Sequence, residues 1–323
     1  MTTDDLLVRP LADGDLSPFT SYDRPGAGAA FGVPGRDFLA TAAAGSYRPD
    51  WVWVAQRGDA VVARAAFWAG PEDTHPFALD WFDVAADEPD RVAVGVQLLR
   101  TALASVRNAE GAAPEYHLFL PPRWRDDPSV RGPADDRLAA ARAVGYEPFV
   151  ERLRLEWRGE PTADAPPEET PSGALRVRPV GGDDELLAVL EAVIDGTLDA
   201  YSRRDTERGG VAAAAKVQLA DMDWMPAPRD WWRLAVTPAG EVAGVVLPTR
   251  NYQAAVIGYV GVLPAHRGHG YAAELVSWAT AFLAAQGADR VIADTDTGNA
   301  PMAAAFAKAG YQVTAQRIVL SVG

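Results

Sequence analysis

Ala255-Val-Ile-Gly-Tyr-Val-Gly-Val262 runs into Leu263-Pro-Ala-His-Arg-Gly-His-Gly-Tyr-Ala272, and this stretch decides the fold. The first eight residues are an apolar run of strand length. Beyond the glycines, Leu275, Trp278, Ala279 and Phe282 recur at helical spacing. A glycine-bearing loop between a strand and a helix N-terminus presents unpaired N–H groups at the positive end of a helix dipole, which suits a pyrophosphate. Gly268 and Gly270 carry no Cβ, so a ligand can come close to the backbone there. Arg267 adds a fixed positive charge, and His266 and His269 flank the loop, within reach of phosphates or of solvent.

Further along, residues 290–297 read as the next strand, followed by Asn299-Ala-Pro-Met302, an Ala-rich helix and Lys308-Ala-Gly-Tyr311. This order of apolar strand, Val-x-Pro-x-x-Arg-Gly-x-Gly-x-Ala, helix, strand, Asn-x-x-Met, helix and Lys-x-Gly-Tyr resembles the GNAT (GCN5-related N-acetyltransferase) family of acyl-CoA-dependent N-acyltransferases. The resemblance extends from about residue 175 onward. It implies an enzyme that takes acetyl-CoA, or another acyl-CoA, as co-substrate and a small-molecule amine as acceptor. Carried over by residue, it implies that Val260, Gly261 and Val262 bond pantetheine through their backbone. Arg267, Gly268, His269, Gly270, Tyr271 and Ala272 would hold the pyrophosphate, and Asn299 would meet the pantetheine arm, with Phe306 packed beneath it. Two residues depart from the family pattern. Ala265 stands where a Gln or Arg is common, and Phe306 stands where a tyrosine commonly protonates the departing thiolate.

Direct transfer requires a deprotonated amine, a donor for the oxyanion and a fate for the thiolate. Backbone N–H groups at residues 260–262 can serve the oxyanion, and a thiolate of pKa about 8–9 can leave without a dedicated acid. Tyr259, with Tyr252 and Tyr201, can stand in for the missing tyrosine. Asp294 and Asp296, two apart on a strand, point to one face and are the candidate bases; their alternative reading is a wet strand end or a helix cap. The acceptor region is expected in residues 198–208 and 221–224, where Tyr201, Arg204, Asp223 and Trp224 offer mixed charge and a flat wall.

The chain states its plan twice. Gly145-Tyr146 with Glu151-Arg-Leu-Arg-Leu155 parallels Gly310-Tyr311 with Gln316-Arg-Ile-Val-Leu320, and Val8-Arg-Pro10 parallels Val177-Arg-Pro179. Residues 51–69 and 231–248 both read as hairpins. Between the copies, residues 159–173 are rich in Pro and acidic residues and read as a linker. The expectation is an α/β (α+β) protein of two GNAT-like domains in tandem, each a mixed, mostly antiparallel sheet flanked by helices, at 1–158 and 174–323. The duplicated plan resembles that of mycothiol-synthase-like proteins. In the first copy the phosphate-loop position reads Asp83-Val-Ala-Ala-Asp-Glu-Pro-Asp-Arg-Val92, which lacks glycine and sets carboxylates where a pyrophosphate would lie. That copy is expected to bind no CoA.

Composition fits this reading. The 323 residues are 48% hydrophobic and 23% charged, a normal balance for two folded domains. Net charge is -14, spread evenly over the two copies, which argues against nucleic acid and anionic membranes as partners. There are no cysteines and four histidines, so no disulfide, thiolate site or metal site is expected. The start has no basic and apolar leader, and a cytoplasmic protein is the expectation. The sequence names neither the acceptor nor the oligomeric state. A non-catalytic acyl-CoA-binding or regulatory module and a catalyst of different acyl chemistry are the competing readings.

Overall fold

In a computed structural model, residues 6–11, 15–22, 33–107, 111–164 and 166–322 are described. The chain divides into two compact units, Met1–Glu151 with Ala315–Gly323, and Arg152–Thr314. Neither unit coincides with one sequence copy, for a reason found in the closing strands.

The first unit contains β1(Leu7–Pro10), the short helices α1(Ser17–Thr20) and α2(Phe38–Ala43), β2(Val52–Arg57), β3(Ala60–Trp68), β4(Ala78–Val84), α3(Arg91–Val106), β5(Glu115–Leu120) and α4(Pro128–Ala143). The alternation of a two-sided strand is plain in β2, where Val52 and Val54 join the aromatic cluster of Phe19, Phe38 and Tyr47, and Trp53 and Ala55 join the larger core under α3. Its strands run antiparallel in the order β1-β2-β3-β4, and β5 adds parallel to β4.

At Gly145, with φ +99°, α4 stops and β6(Tyr146–Arg158) begins. Tyr146 is buried in the first core, but from Arg152 onward β6 pairs antiparallel with a strand of the second unit. That unit contains β7(Arg176–Pro179), α5(Asp183–Ile194), α6(Ala200–Gly209), α7(Val211–Trp224), β8(Arg233–Val236), β9(Val242–Arg250), β10(Ala255–Val262), α8(Tyr271–Ala285), β11(Arg290–Asp296) and α9(Ala300–Lys308). Its strand order is β6-β11-β10-β9-β8-β7, with only β10 and β11 parallel. The final strand, β12(Gln312–Val322), pairs antiparallel with β5 and buries Ile318 and Leu320 in the first core. The closing strands are therefore exchanged between the copies. Expected boundaries at 158 and 174 follow the repeat in sequence, whereas the compact units divide at 151/152 and 314/315.

Of residues 159–173, expected to be a linker, residue 165 lies outside the described residues and others bond to the second unit. Gly159 and Thr162 donate their N–H groups to the carbonyls of Asp289 and Ala284, and the Trp278 indole donates to Pro167. On β9, Val245 and Leu247 face the core under α5 and α7, and Val246 faces the core under α8. No described helix is long and apolar enough to cross a membrane.

Candidate active site

The site is built where two parallel strands part. β10 and β11 pair only at Ala255↔Val291 and Val256↔Ile292. Immediately afterward the register of β10 on β9 slips, Ile257 facing Pro248 and Tyr259 facing Leu247, so Gly258 is the extra residue of a bulge. Residues 259–262 keep β9 on one edge and have no partner strand on the other. Gly261 is required by close approach: a Cβ there would sit 2.2 Å from Val193 Cγ1 of α5.

The loop after β10 ends at α8, whose N-cap is Gly270 at φ +80°, with Gly268 at φ +84°. No side chain caps this helix. The N–H groups of Gly268, His269, Gly270, Tyr271 and Ala272 donate to no acceptor among the described residues, the first downstream bond being from Ala273 to the Gly270 carbonyl. Five consecutive free donors at a helix N-terminus fit an anion of pyrophosphate size.

Arg267 is spent differently from what its charge suggested. Its Nε donates to the Val262 carbonyl (3.1 Å), Nη1 to Gly196 (3.4 Å) and Nη2 to Val193 (3.0 Å) and Asp195 (3.1 Å). Four of about five guanidinium N–H groups thus cap the C-terminal carbonyls of α5 and the strand end. His269 Nδ1 lies 3.2 Å from the His266 carbonyl, and its ring stacks on Tyr271. Asn299 caps α9 by accepting the Met302 N–H (3.3 Å). Phe306 is 2% exposed, packed edge-on to Tyr311 inside the second core.

Asp294 and Asp296 do share a face, but the neighbouring strand answers both. In the β6–β11 register Arg154 lies opposite Asp294 and Arg152 opposite Asp296, at 3.0 Å and 3.1 Å. Asp296 also accepts the Ala200 N–H through Oδ2 (2.6 Å), fastening the start of α6 to the end of β11, and it is buried. Burial raises its carboxyl above the ordinary value, with Arg152 opposing. With Oδ2 on the Ala200 N–H and Oδ1 within ion-pair range of Arg152 but without a hydrogen bond, Asp296 is a latch between β11 and α6. Arg152 also reaches Asp199 at 3.5 Å, and Asp199 caps α6 through the Ser202 N–H.

Tyr259 is half-buried on the α5 side, and its hydroxyl is pushed well above the ordinary tyrosine value by burial first and by Asp199 next. It therefore stays protonated at neutral pH. Tyr201 lies between two guanidiniums, Arg204 at 4.8 Å and Arg152 at 5.4 Å from its ring centre. Asp223 is clasped by Arg229 on the surface. Trp224 and Tyr252 form an exposed edge-to-face pair. Two residues not singled out from sequence gain weight here. One is Arg152, which the sequence assigns to the other copy. The other is Asp221 on α7; its side chain reaches solvent, yet the atoms packed around it, and then Asp205, push its carboxyl up to about 6 against the pull of Arg204.

The corresponding groove of the first unit is filled. β4 has the same bulge, at Asp80, and parts from β5 after Leu79↔Tyr116. Counted back from Gly145 and Gly310, Arg137 stands where the second copy has Met302. Its Nε donates to the Phe82 carbonyl on the free edge of β4 (2.7 Å) and its Nη2 to Asp83 (2.8 Å). Asp90 caps α3 from the Ala93 N–H, and buried Glu88 pairs with Arg57. A cavity beside Arg91 and Arg137 measures about 160 Å³, against roughly 300–1,000 Å³ for ligand pockets.

Residues 198–311 match the model of the acetyltransferase (GNAT) family. A GCN5-related N-acetyltransferase from Sphaerobacter thermophilus is similar in structure over 98% of this chain and 95% of its own, at TM-score 0.56 and 16% identity. A tandem GNAT protein from the clavulanic acid biosynthesis pathway is similar over 99% of both chains, at TM-score 0.50 and 18% identity. No curated protein matches the sequence. The chain has the tandem GNAT fold, and the match to the GNAT family model lies within its second copy.

Proposed function

We propose that the second unit is an N-acyltransferase that moves an acetyl group from acetyl-CoA to the amine of a small polar molecule, by direct attack in a ternary complex. The observation that carries this reading is the row of five free N–H groups at Gly268–Ala272, set beside the unpaired edge of β10. In this reading residues 260–262 bond the pantetheine arm and Asn299 lies along it. The amine nitrogen bonds to the acyl carbon, the C–S bond breaks, and the sulfur leaves as thiolate. Tyr259, held protonated, is a candidate to donate to it. Asp221, in the region expected to receive the acceptor, is a candidate to take the ammonium proton directly or through water. Asp294, on β11 beyond its last pairing with β10, shares its charge with Arg154. The first unit, with its groove occupied by Arg137, contributes structure and no CoA site.

Titration calorimetry with acetyl-CoA followed by thiol release over a panel of amines tests this reading. Binding with turnover supports it. Binding without turnover on any amine would make the protein a non-catalytic acyl-CoA module, and no binding would remove both readings.

A further inference from the structure

We infer that Arg267 is a positioning residue for the acceptor side of the site and is not a phosphate ligand. Its guanidinium closes the C-terminus of α5 by bonding the Val193, Asp195 and Gly196 carbonyls, and it ties that end to the last residue of β10 through the Val262 carbonyl. Residues 195–199 then connect α5 to α6. This connection turns at Gly196, φ +67°, whose missing Cβ would lie 3.5 Å from Nη1 of Arg267. Its far end is fixed by a different set of contacts: Asp199 caps α6, Arg152 pairs with Asp199 and Asp296, and Asp296 accepts the Ala200 N–H. One residue later stands Tyr201, between Arg152 and Arg204. The strap that carries Tyr201 is thus pinned at both ends, and Arg267 is the pin on the side of the phosphate loop.

A guanidinium fork is needed for this geometry. Its donors leave in several directions and reach four carbonyls, whereas a lysine ammonium is a point charge that reaches one or two. A phosphate contact is less demanding, since a lysine ammonium can also serve an anion as a point charge. The acceptor part of this inference rests on the acyl-transfer reading; the pinning of residues 195–203 does not.

Arg267→Ala and Arg267→Lys in the full chain separate the roles. In ligand-free protein followed by hydrogen exchange and mass spectrometry, amides of residues 197–203 should exchange about tenfold faster in Arg267→Ala and measurably faster in Arg267→Lys, as expected of a locally opened segment. Wild-type rates across these residues in both variants would overturn the inference, whatever happens to CoA affinity. On any amine the wild type acetylates, KM for the amine should rise at least about fivefold in Arg267→Lys while KM for acetyl-CoA stays within about threefold. A rise confined to acetyl-CoA would mark Arg267 as a phosphate ligand and overturn the inference. If the wild type acetylates nothing, the acyl-transfer reading fails by itself and the exchange result still decides the pinning. Should Arg267→Ala not fold, Arg267→Lys carries both measurements.

Discussion

Removing Arg152 should be the most damaging single charge deletion in the second unit. Asp296 has a side chain only 4% exposed and Arg152 one 16% exposed, so neither can be rehydrated in place. Arg152→Ala leaves the Asp296 carboxylate with the Ala200 N–H alone, and an uncompensated buried charge costs about 3–5 kcal/mol. Arg154→Ala is milder, about 1–3 kcal/mol, because Asp294 is 21% exposed and can take water. Asp296→Asn keeps an acceptor for the Ala200 N–H and removes the charge, so Arg152→Ala in that background should cost much less than in the wild type. pH supplies an independent check. Without Arg152, the folded-state pKa of Asp296 rises further above its unfolded value, so between those values the folded variant binds the extra proton and gains stability as pH falls. The gap between wild type and Arg152→Ala should therefore narrow from pH 7 to pH 5. Guanidinium unfolding of the wild type, the three single variants and the double variant at both pH values measures all of this. A cost below about 1 kcal/mol for Arg152→Ala at pH 7, or a gap indifferent to pH, would refute the argument.

Other outcomes follow from the same structure. Gly268→Ala with Gly270→Ala meets no protein atom within 4 Å, but it forces two side chains into left-handed backbone. The pair should cost roughly 2 kcal/mol of stability, raise the acetyl-CoA dissociation constant at least about tenfold by calorimetry, and leave the protein folded. Burial pushes Asp80 up to about 6, so the wild type should lose up to about 3 kcal/mol, relative to Asp80→Asn, as pH rises from 4 to 7; thermal unfolding at several pH values reads that difference. Phe306→Tyr inserts a hydroxyl into the core beside Tyr311, and should lower the melting temperature while changing turnover less than about tenfold.

What was legible in the sequence was local. The run 255–272 announced its strand, loop and helix because apolar spacing and glycine position are properties of neighbours along the chain. Asp294 and Asp296 were correctly assigned to one face by the two-residue period, but their partners Arg154 and Arg152 lie across a strand pairing that no local pattern specifies. The same limit hid the exchange of closing strands, since β6 and β12 carry similar local patterns. Arg267 shows a further gap. Its charge and place beside the glycines were visible, but not that the end of α5 would fold back to claim its donors. In the first copy the missing glycines were enough to doubt a phosphate site, and Arg137, which fills the groove, was an ordinary helix residue by sequence.

The exchanged strands also impose an order on biosynthesis. Residues 152–314 are contiguous and can complete their sheet as soon as they leave the ribosome. The earlier unit cannot: β5 at Leu120 must wait for its partner at Gln316, nearly two hundred residues later. Until then it holds an unpaired edge against β5 and a core lacking Ile318 and Leu320. The N-terminal unit is thus begun first and finished last, and in the interval its open sheet edge is the part of the nascent chain most exposed to wrong pairing.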